Sequence, residues 1–356
     1  MDLFCGAGGF SLGFREAGFR LLNEIDTNED CIATYKQNLG GHAHCGKVSL
    51  DVLTGLKPDV LVGGPPCQPF SLLGAKHDFD PREGLTRDYM EVVRHLKPKV
   101  FVIENVPGYF RSVQSGYVAR AATRLGYCVT AAIIDAAKHG VAQRRKRAFI
   151  IGSRLGTPFF PQDSHPGAAT VKEAIGDLTG APTGQNWHVG RSPRPLSLRR
   201  YQAVPPGGNR FSLPRALQPP CWKDRDSGSV DVFGRLWWER PSVTIRTEFV
   251  KPEKGRYLHP DEDRPITPRE GARLQSFPDS FIFTGSMTSV VRQIGNAVPP
   301  RLAYRLALAV KCHLDGTNGA VCDDVLLAGF PTTTPIVVEP TAARDRRLIA
   351  EYLGAQ

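Results

Sequence analysis

Residues 63 to 71 read GGPPCQPFS, a stretch that sets one thiol, Cys67, among three prolines and behind a glycine pair. Cysteine is usually a buried core residue. Here the prolines rule out a helix and a central strand, and they restrict the backbone so that the direction of the thiol is set in advance. The preceding run, DVLV, reads as a strand. Cys67 therefore falls at the carboxyl end of a strand, the edge where open α/β sheets bind ligands. A nucleophilic cysteine must reach the thiolate, and a free thiol titrates near about 8.5, so cationic or hydrogen-bonding neighbours are required. An isolated cysteine is usually structural, but a Pro-flanked loop beside a cofactor turn favours the nucleophile.

Three further groups could serve such a thiol. ENVPG follows the apolar run VFVI, which puts Glu104 at the same sheet edge. A carboxyl group half-buried there keeps its proton by desolvation and can donate it to a ring nitrogen. A lone Glu at a strand end is otherwise solvated; Asn105 can fix the loop. In QRRKR, residues 143 to 147, an extended backbone would put Arg145 and Arg147 on one face. Guanidinium groups there suit carbonyl oxygens and phosphates, although such a run can equally be a basic surface. QIGNAVPP places Asn296 and Val298 on a structured loop before a late helix, where a plain turn is the alternative.

A cofactor turn is legible in FCGAGG, which follows the first strand and precedes a helix. Glycines let the backbone approach a ligand there, and the helix N-terminus favours polar groups. The spacing excludes a Walker phosphate loop. Glu24 falls roughly 20 residues on, where an acidic side chain at a second strand end binds ribose hydroxyls. Asp51, near the next strand end, can accept from an adenine amino group. An adenosine-containing cofactor follows from these residues, with a nicotinamide dinucleotide and S-adenosylmethionine both open at this point.

The elements that must position these groups alternate between strand and helix. MDLF, FRLLNEI, DVLVGG, VFVIENV and AFIIG read as strands; SLGFREAG, DYMEVVRHLKP and YVARAATRLG read as helices. That alternation argues for an α/β fold with a parallel, doubly wound sheet. The run from Val129 to Gly152 reads as a strand, a loop and a strand running back, which makes that edge antiparallel. The first strand is expected to span no more than MDLF. TPREGARLQSFP reads as a helix that begins with Pro, and PRLAYRLALAVKCHL as the last helix of the fold. Residues 1–180 are expected to form one domain, 181–285 a smaller irregular one rich in proline, and 286–356 a return to the first domain plus a tail.

Net charge is +10, and no Asp or Glu occurs between Leu178 and Lys223. Arg191, Arg194, Arg199, Arg200, Arg210 and Arg215 stand in that stretch, as a solvated basic loop or as a footprint for phosphates. No apolar run reaches the roughly 20 residues that span a bilayer, and MDLFCGAGGF has no signal-peptide pattern. The expectation is a cytoplasmic protein, with the nucleoid if bacterial, acting as a monomer. The eight scattered cysteines contain no C-x-x-C pair and are expected to be reduced. His42, His44 and Cys45 make a poor zinc pattern, so no metal is expected.

Taken in order, MDLFCGAGG, GGPPCQPFS, ENVPG, QRRKR, RLQSFPD and QIGNAVPP resemble the DNA (cytosine-5)-methyltransferase family over about residues 1 to 310. The resemblance implies a Rossmann-like S-adenosylmethionine-dependent fold with a target-recognition domain, and duplex DNA as substrate. Phe4, Gly6, Gly8 and Gly9 would shape the methionine and adenine pocket. Glu24 would hold the ribose, with Ile25, Asp51 and Val52 about the adenine. Gly64, Pro66 and Leu85 would line the pocket, and Asn296 and Val298 would close it. Cys67 would be the nucleophile, Glu104 the acid at the base, Arg147 a contact to it and Arg145 a support on the thiol side. Gln68, Ser71, Thr244, Arg191, Arg194, Arg199, Arg200 and Arg210 would meet DNA. A sequence-specific modification enzyme is implied, with an accompanying restriction endonuclease as partner. A tRNA cytosine-5 methyltransferase on the same fold is the alternative, disfavoured by the long basic segment. An inactive DNA-binding scaffold is disfavoured by the intact Cys67 and Glu104. A dehydrogenase gives Pro-Cys-Gln no role.

Overall fold

The β-branched runs form strands wherever a neighbour can pair with them. In the computed structural model, residues 1–66, 84–163, 167–178, 180, 183–223, 230–317 and the backbone of 336–337 are described. Cys67, Gln68 and Ser71 lie outside the described residues. Seven strands make the main sheet: β1 (Asp2–Leu3), β2 (Glu24–Asp26), β3 (Ala43–Cys45), β4 (Val60–Gly63), β5 (Val100–Asn105), β6 (Cys128–Asp135) and β7 (Lys146–Ser153). Their order is β3-β2-β1-β4-β5-β7-β6, and Ile336–Val337 adds an antiparallel pair outside β6. The first five strands run parallel, and β7 lies antiparallel between β5 and β6.

The order reverses between β1 and β4, and this is the switch point where doubly wound sheets open a crevice. Leu3 pairs with Gly63 and Gly63 with Ile103, so the loops after β1, β4 and β5 leave the sheet side by side. Both faces of the sheet are covered, and the strands alternate accordingly. Val100 and Val102 of β5 join Phe10, Phe14, Leu302, Leu306 and Val310 on one face. Phe101 and Ile103 join Tyr89, Val93 and Val118 on the other.

Those partners are carried by α1 (Gly9–Glu16), α2 (Glu29–Leu39), α3 (Leu85–Leu96) and α4 (Val113–Arg124). Asn28 caps α2 by accepting from the Cys31 amide at 2.9 Å. Later come α5 (Val171–Ile175), α6 (Pro195–Gln202), α7 (Pro268–Leu274), α8 (Met287–Asn296) and α9 (Pro300–Leu314). Helix α7 starts at Pro268 behind a Thr267–Glu270 capping box, and α9 coincides with the run PRLAYRLALAVKCHL. It returns to the sheet against α1. A Cβ on Gly13 would sit 2.5 Å from the Pro300 carbonyl oxygen, so this helix pair needs glycine there.

Four sequence expectations change. Strand β2 is only as long as its partner β1, so most of FRLLNEI stays unpaired and Glu24 opens the strand instead of ending it. Asp51 lies in a short 3-10 turn, Leu50–Leu53, and not at a strand end. Strand β7 begins at Lys146, which leaves Gln143 to Arg145 ahead of it. Cys312 is disulfide-bonded, whereas all eight thiols were expected reduced; cysteine spacing does not report which sulfurs a fold brings together. Cys5, Cys31, Cys45 and Cys128 are free thiols.

Residues 183–223 and 230–285 contain mostly short 3-10 turns and a two-stranded parallel pair, β8 (Gly234–Arg235) with β9 (Arg256–Leu258). Tyr201, Val204, Leu213, Phe233 and Leu258 form a small core of their own. Ile245, Phe249, Tyr257 and Phe277 instead share a large core with Cys5, Leu12, Ile32 and Tyr35. That core crosses the boundary expected at 180.

Candidate active site

The first loop at the switch point is the glycine-rich turn. Its backbone enters the left-handed region at Phe4 (φ 61°), Gly6 (φ 53°) and Gly8 (φ 94°). For Phe4 this is an uncommon conformation, held by the surroundings. The Gly6 amide donates to Asp26 Oδ2 at 2.9 Å, and the Cys5 amide to the Ile25 carbonyl at 3.1 Å. A Cβ on Gly9 would lie 2.4 Å from the Val298 carbonyl oxygen, whereas one on Gly6 would meet nothing within 4 Å. The turn is thus backed by QIGNAVPP and open beside Gly6. Val298 is buried, and Asn296 ends α8 exposed.

Glu24 is fully buried. Neither carboxylate oxygen completes a hydrogen bond within the protein. Burial pushes its carboxyl above the usual range; the chain's terminal amine, the Tyr35 hydroxyl and the Leu22 backbone oppose that rise from outside full hydrogen-bond geometry. Ile25 is buried, while Asp51 and Val52 are exposed. Asp26, not singled out in the sequence, is the acidic group that meets the turn: its two oxygens accept from the amides of Gly6 and Asn28. Its place at the end of β2 is the signal that could have found it.

The second loop leads to Cys67. Gly63 runs against β1 so closely that a Cβ would sit 2.5 Å from the Leu3 carbonyl oxygen. Asn105 Nδ2 donates to the Pro65 carbonyl at 3.1 Å, which ties this loop to the end of β5. At Gly64 a Cβ would be 3.1 Å from Glu104 Oε2. The backbone at Gly64, three residues ahead of Cys67 in the sequence, therefore passes beside the Glu104 carboxyl. Leu85, half-buried, opens α3 on the far side of the undescribed segment.

Glu104 itself is 12% exposed, and Arg147 Nε lies 3.0 Å from its Oε1. Burial pushes the Glu104 carboxyl up, and the charges of Arg147 and then Arg145 pull it back. Arg145 is buried; its Nη1 donates to the Ile245 carbonyl at 3.1 Å and its Nη2 to the Gly295 carbonyl at 3.0 Å. The structure thus turns Arg145 toward late segments and gives it an electrostatic hold on Glu104. Thr244 is half-buried beside it, with Oγ1 donating to the Arg144 carbonyl at 2.8 Å.

The basic stretch divides. Arg191, Arg194 and Arg199 are exposed, and Arg200 is half-buried with Nε donating to the Leu217 carbonyl at 2.7 Å. Arg210 is buried, its guanidinium 4.5 Å from the Phe211 ring centroid and 5.8 Å from that of Trp222. The expectation of a phosphate contact there gives way to a buried guanidinium stacked on the Phe211 and Trp222 rings. Among the described residues no group of three or more His, Cys, Asp or Glu could hold a metal ion, and no helix is long and apolar enough to cross a membrane.

Comparisons with known proteins agree with this arrangement. The model of the family described as C-5 cytosine-specific DNA methylase matches residues 1–312. The chain is 37% identical over 334 residues to the Type II methyltransferase M1.HphI of Haemophilus parahaemolyticus, covering 87% of this chain and 86% of that one. It is 32% identical over 341 residues to the Type II methylase M.HgiDII of Herpetosiphon aurantiacus, covering 89% and 96%. Among solved structures, a prophage-encoded E. coli protein designated a DNA modification methyltransferase superposes with a TM-score of 0.66 at 25% identity, over 88% of this chain and 98% of that one. The acid beside the Pro-Pro loop, the glycine turn at the switch point and the family match over most of the chain lead to one conclusion: the chain belongs to the C-5 cytosine-specific DNA methylases, enzymes that methylate carbon 5 of cytosine.

Proposed function

We propose that the chain methylates C5 of cytosine within a specific sequence of duplex DNA, with S-adenosylmethionine as donor and a covalent bond from Cys67 to C6 of a flipped-out base. The observation that carries the reading is the Glu104 carboxyl, desolvated, held by Arg147 and lying against the Gly64 backbone that leads to Cys67. In-stack cytosine cannot present C6 to a thiol, so the base must leave the helix. The sulfur of Cys67 bonds to C6, and the C5–C6 electron pair moves onto C5. Glu104 gives its proton to N3, which lowers the cost of that addition. S-Adenosylmethionine, when bound, supplies an electrophilic methyl group. C5 bonds to that methyl group as the donor leaves as its thioether; N3 returns its proton to Glu104, C5 gives its proton to water, and departure of the Cys67 sulfur restores the ring.

The residues present fit an adenosine-bearing donor. Glu24 has two buried oxygens with hydrogen-bonding capacity for ribose hydroxyls, and Gly6 leaves open space over the turn. Phe4, Gly8, Gly9, Ile25, Asp51, Val52, Gly64, Pro66, Leu85, Asn296 and Val298 complete the proposed pocket. Residues 1–180 and the return after 285 form the catalytic part, and 181–285 the recognition part. Arg191, Arg194, Arg199, Arg200 and Thr244, with Gln68 and Ser71, meet the DNA. The Type II designation of the relatives supports a modification enzyme working beside a restriction endonuclease; we propose that it acts as a monomer, located with the DNA.

Incubation with methyl-labelled donor and either duplex DNA or tRNA tests the substrate, and bisulfite sequencing of the DNA reports the site. Label in 5-methylcytosine of DNA is expected. Label in tRNA alone would replace this reading with its RNA counterpart.

A further inference from the structure

Gln143 and Gln275 are both fully buried and lie 132 positions apart. They form one directed chain of hydrogen bonds. The Ile245 amide donates to Gln143 Oε1 at 2.7 Å, Gln143 Nε2 to Gln275 Oε1 at 2.7 Å, and Gln275 Nε2 to the Ile294 carbonyl at 2.6 Å. Each amide is used in one orientation only. Flipping either would set oxygen against oxygen or N–H against N–H.

The same backbone is gripped a second time. Arg145 takes the Ile245 carbonyl with Nη1 and the Gly295 carbonyl with Nη2. Gln143 and Arg145 therefore hold both polar groups of Ile245, while Gln275 and Arg145 hold the adjacent carbonyls of Ile294 and Gly295. Main-chain bonds reinforce the seam: the Arg144 amide donates to the Ser242 carbonyl and the Ser242 amide to the Ala142 carbonyl. Gly295 packs so tightly there that a Cβ would lie 2.5 Å from the Arg246 backbone. Three late segments close on residues 142–147, and the last of these, Arg147, holds Glu104.

Two buried amides could simply be satisfied polar groups in a core. A core needs no such pair, since apolar residues of the same shape hold it as well. What the amides add is direction and register, and the register they fix is that of Ile245, between Thr244 and the carbonyl bound by Arg145. We propose that the Gln143–Gln275 amide pair is a positioning device for methyl transfer, fixing Ile245 so that Arg145 and Thr244 stay in place relative to Glu104. The inference rests on the catalytic reading of Glu104 given above.

The test uses Gln143→Met, Gln275→Met and the double variant in the full chain. Methyl transfer to plasmid DNA from a host lacking cytosine methylation is followed at saturating donor, alongside thermal unfolding. Each single variant is expected to lose about 10²-fold in kcat, with KM for DNA little changed, the signature of a lost transition-state interaction. The double variant should regain stability, because both polar partners are gone, and stay slow. Parental kcat in either single variant overturns the proposal, as does recovery of kcat together with stability in the double. If a single variant does not fold, the kcat of the double decides alone by the same criterion. A parent chain that forms no 5-methylcytosine under these conditions would strike the underlying reading instead.

Discussion

The sheet edge and the acid-free stretch after Leu178 hold their charged groups in different ways. At the sheet edge, Glu104, Arg145 and Arg147 are buried or nearly so, and their partners come from several distant segments. In the stretch from Arg191 to Arg215, most arginines are exposed on a backbone of short turns, and only Arg210 is packed away. Buried, multiply held groups carry chemistry, because desolvation strengthens each interaction and fixes geometry in advance. Exposed guanidinium groups suit a partner that arrives from solution with its own charges.

The contrast can be broken most sharply at Cys67. Cys67→Ala is expected to abolish methyl transfer and leave DNA binding measurable; labelled product from that variant would remove the covalent step. Glu104→Gln comes next, with an expected loss of about 10²- to 10⁴-fold in transfer, read by single-turnover kinetics. Near-parental turnover would take the proton donor away from this position.

The pH profile sharpens the same point. Burial raises the Glu104 carboxyl, while Arg147 first and Arg145 second lower it. With Glu104 as the proposed proton donor, the rate is expected to fall as pH rises through that raised value. Arg147→Met removes the larger lowering and should move the alkaline limb to higher pH as the rate drops. An unmoved limb would show that Arg147 does not set this proton.

In the stretch from Arg191 to Arg215, Arg210→Ala should cost about 1–2 kcal/mol of stability through lost ring packing, measured by denaturant unfolding. Parental stability with weakened DNA binding would return Arg210 to the DNA-facing set. The smallest effect is expected for Arg199→Ala with Arg200→Ala, a reduced dependence of DNA affinity on salt concentration. An identical slope at every salt would make that pair a solvated surface.

Much of the sheet edge was legible because its residue types have few other uses. Pro-Pro-Cys cannot lie in a helix, VFVIENV can only pair, and α9 follows its periodicity residue for residue. What escaped was partner choice. FRLLNEI looks like a full strand, yet β1 pairs with it only through Asp2 and Leu3, so the acidic residue meeting the glycine turn is Asp26. Gln143 and Gln275 carry no local signal, since a buried amide reads like any surface glutamine until its distant acceptors are known. Arg210 was indistinguishable from its neighbours in charge, and only Phe211 and Trp222 decide its side.

The contact of Gly9 with the Val298 carbonyl has a bearing on how the molecule is made. The glycine turn after β1 is backed by residues translated near the end of the fold. A nascent chain halfway through synthesis has the first strands but lacks this wall, and contacts of such long sequence separation form late. Order in the glycine turn should therefore appear only once residues up to Val298 have joined the fold.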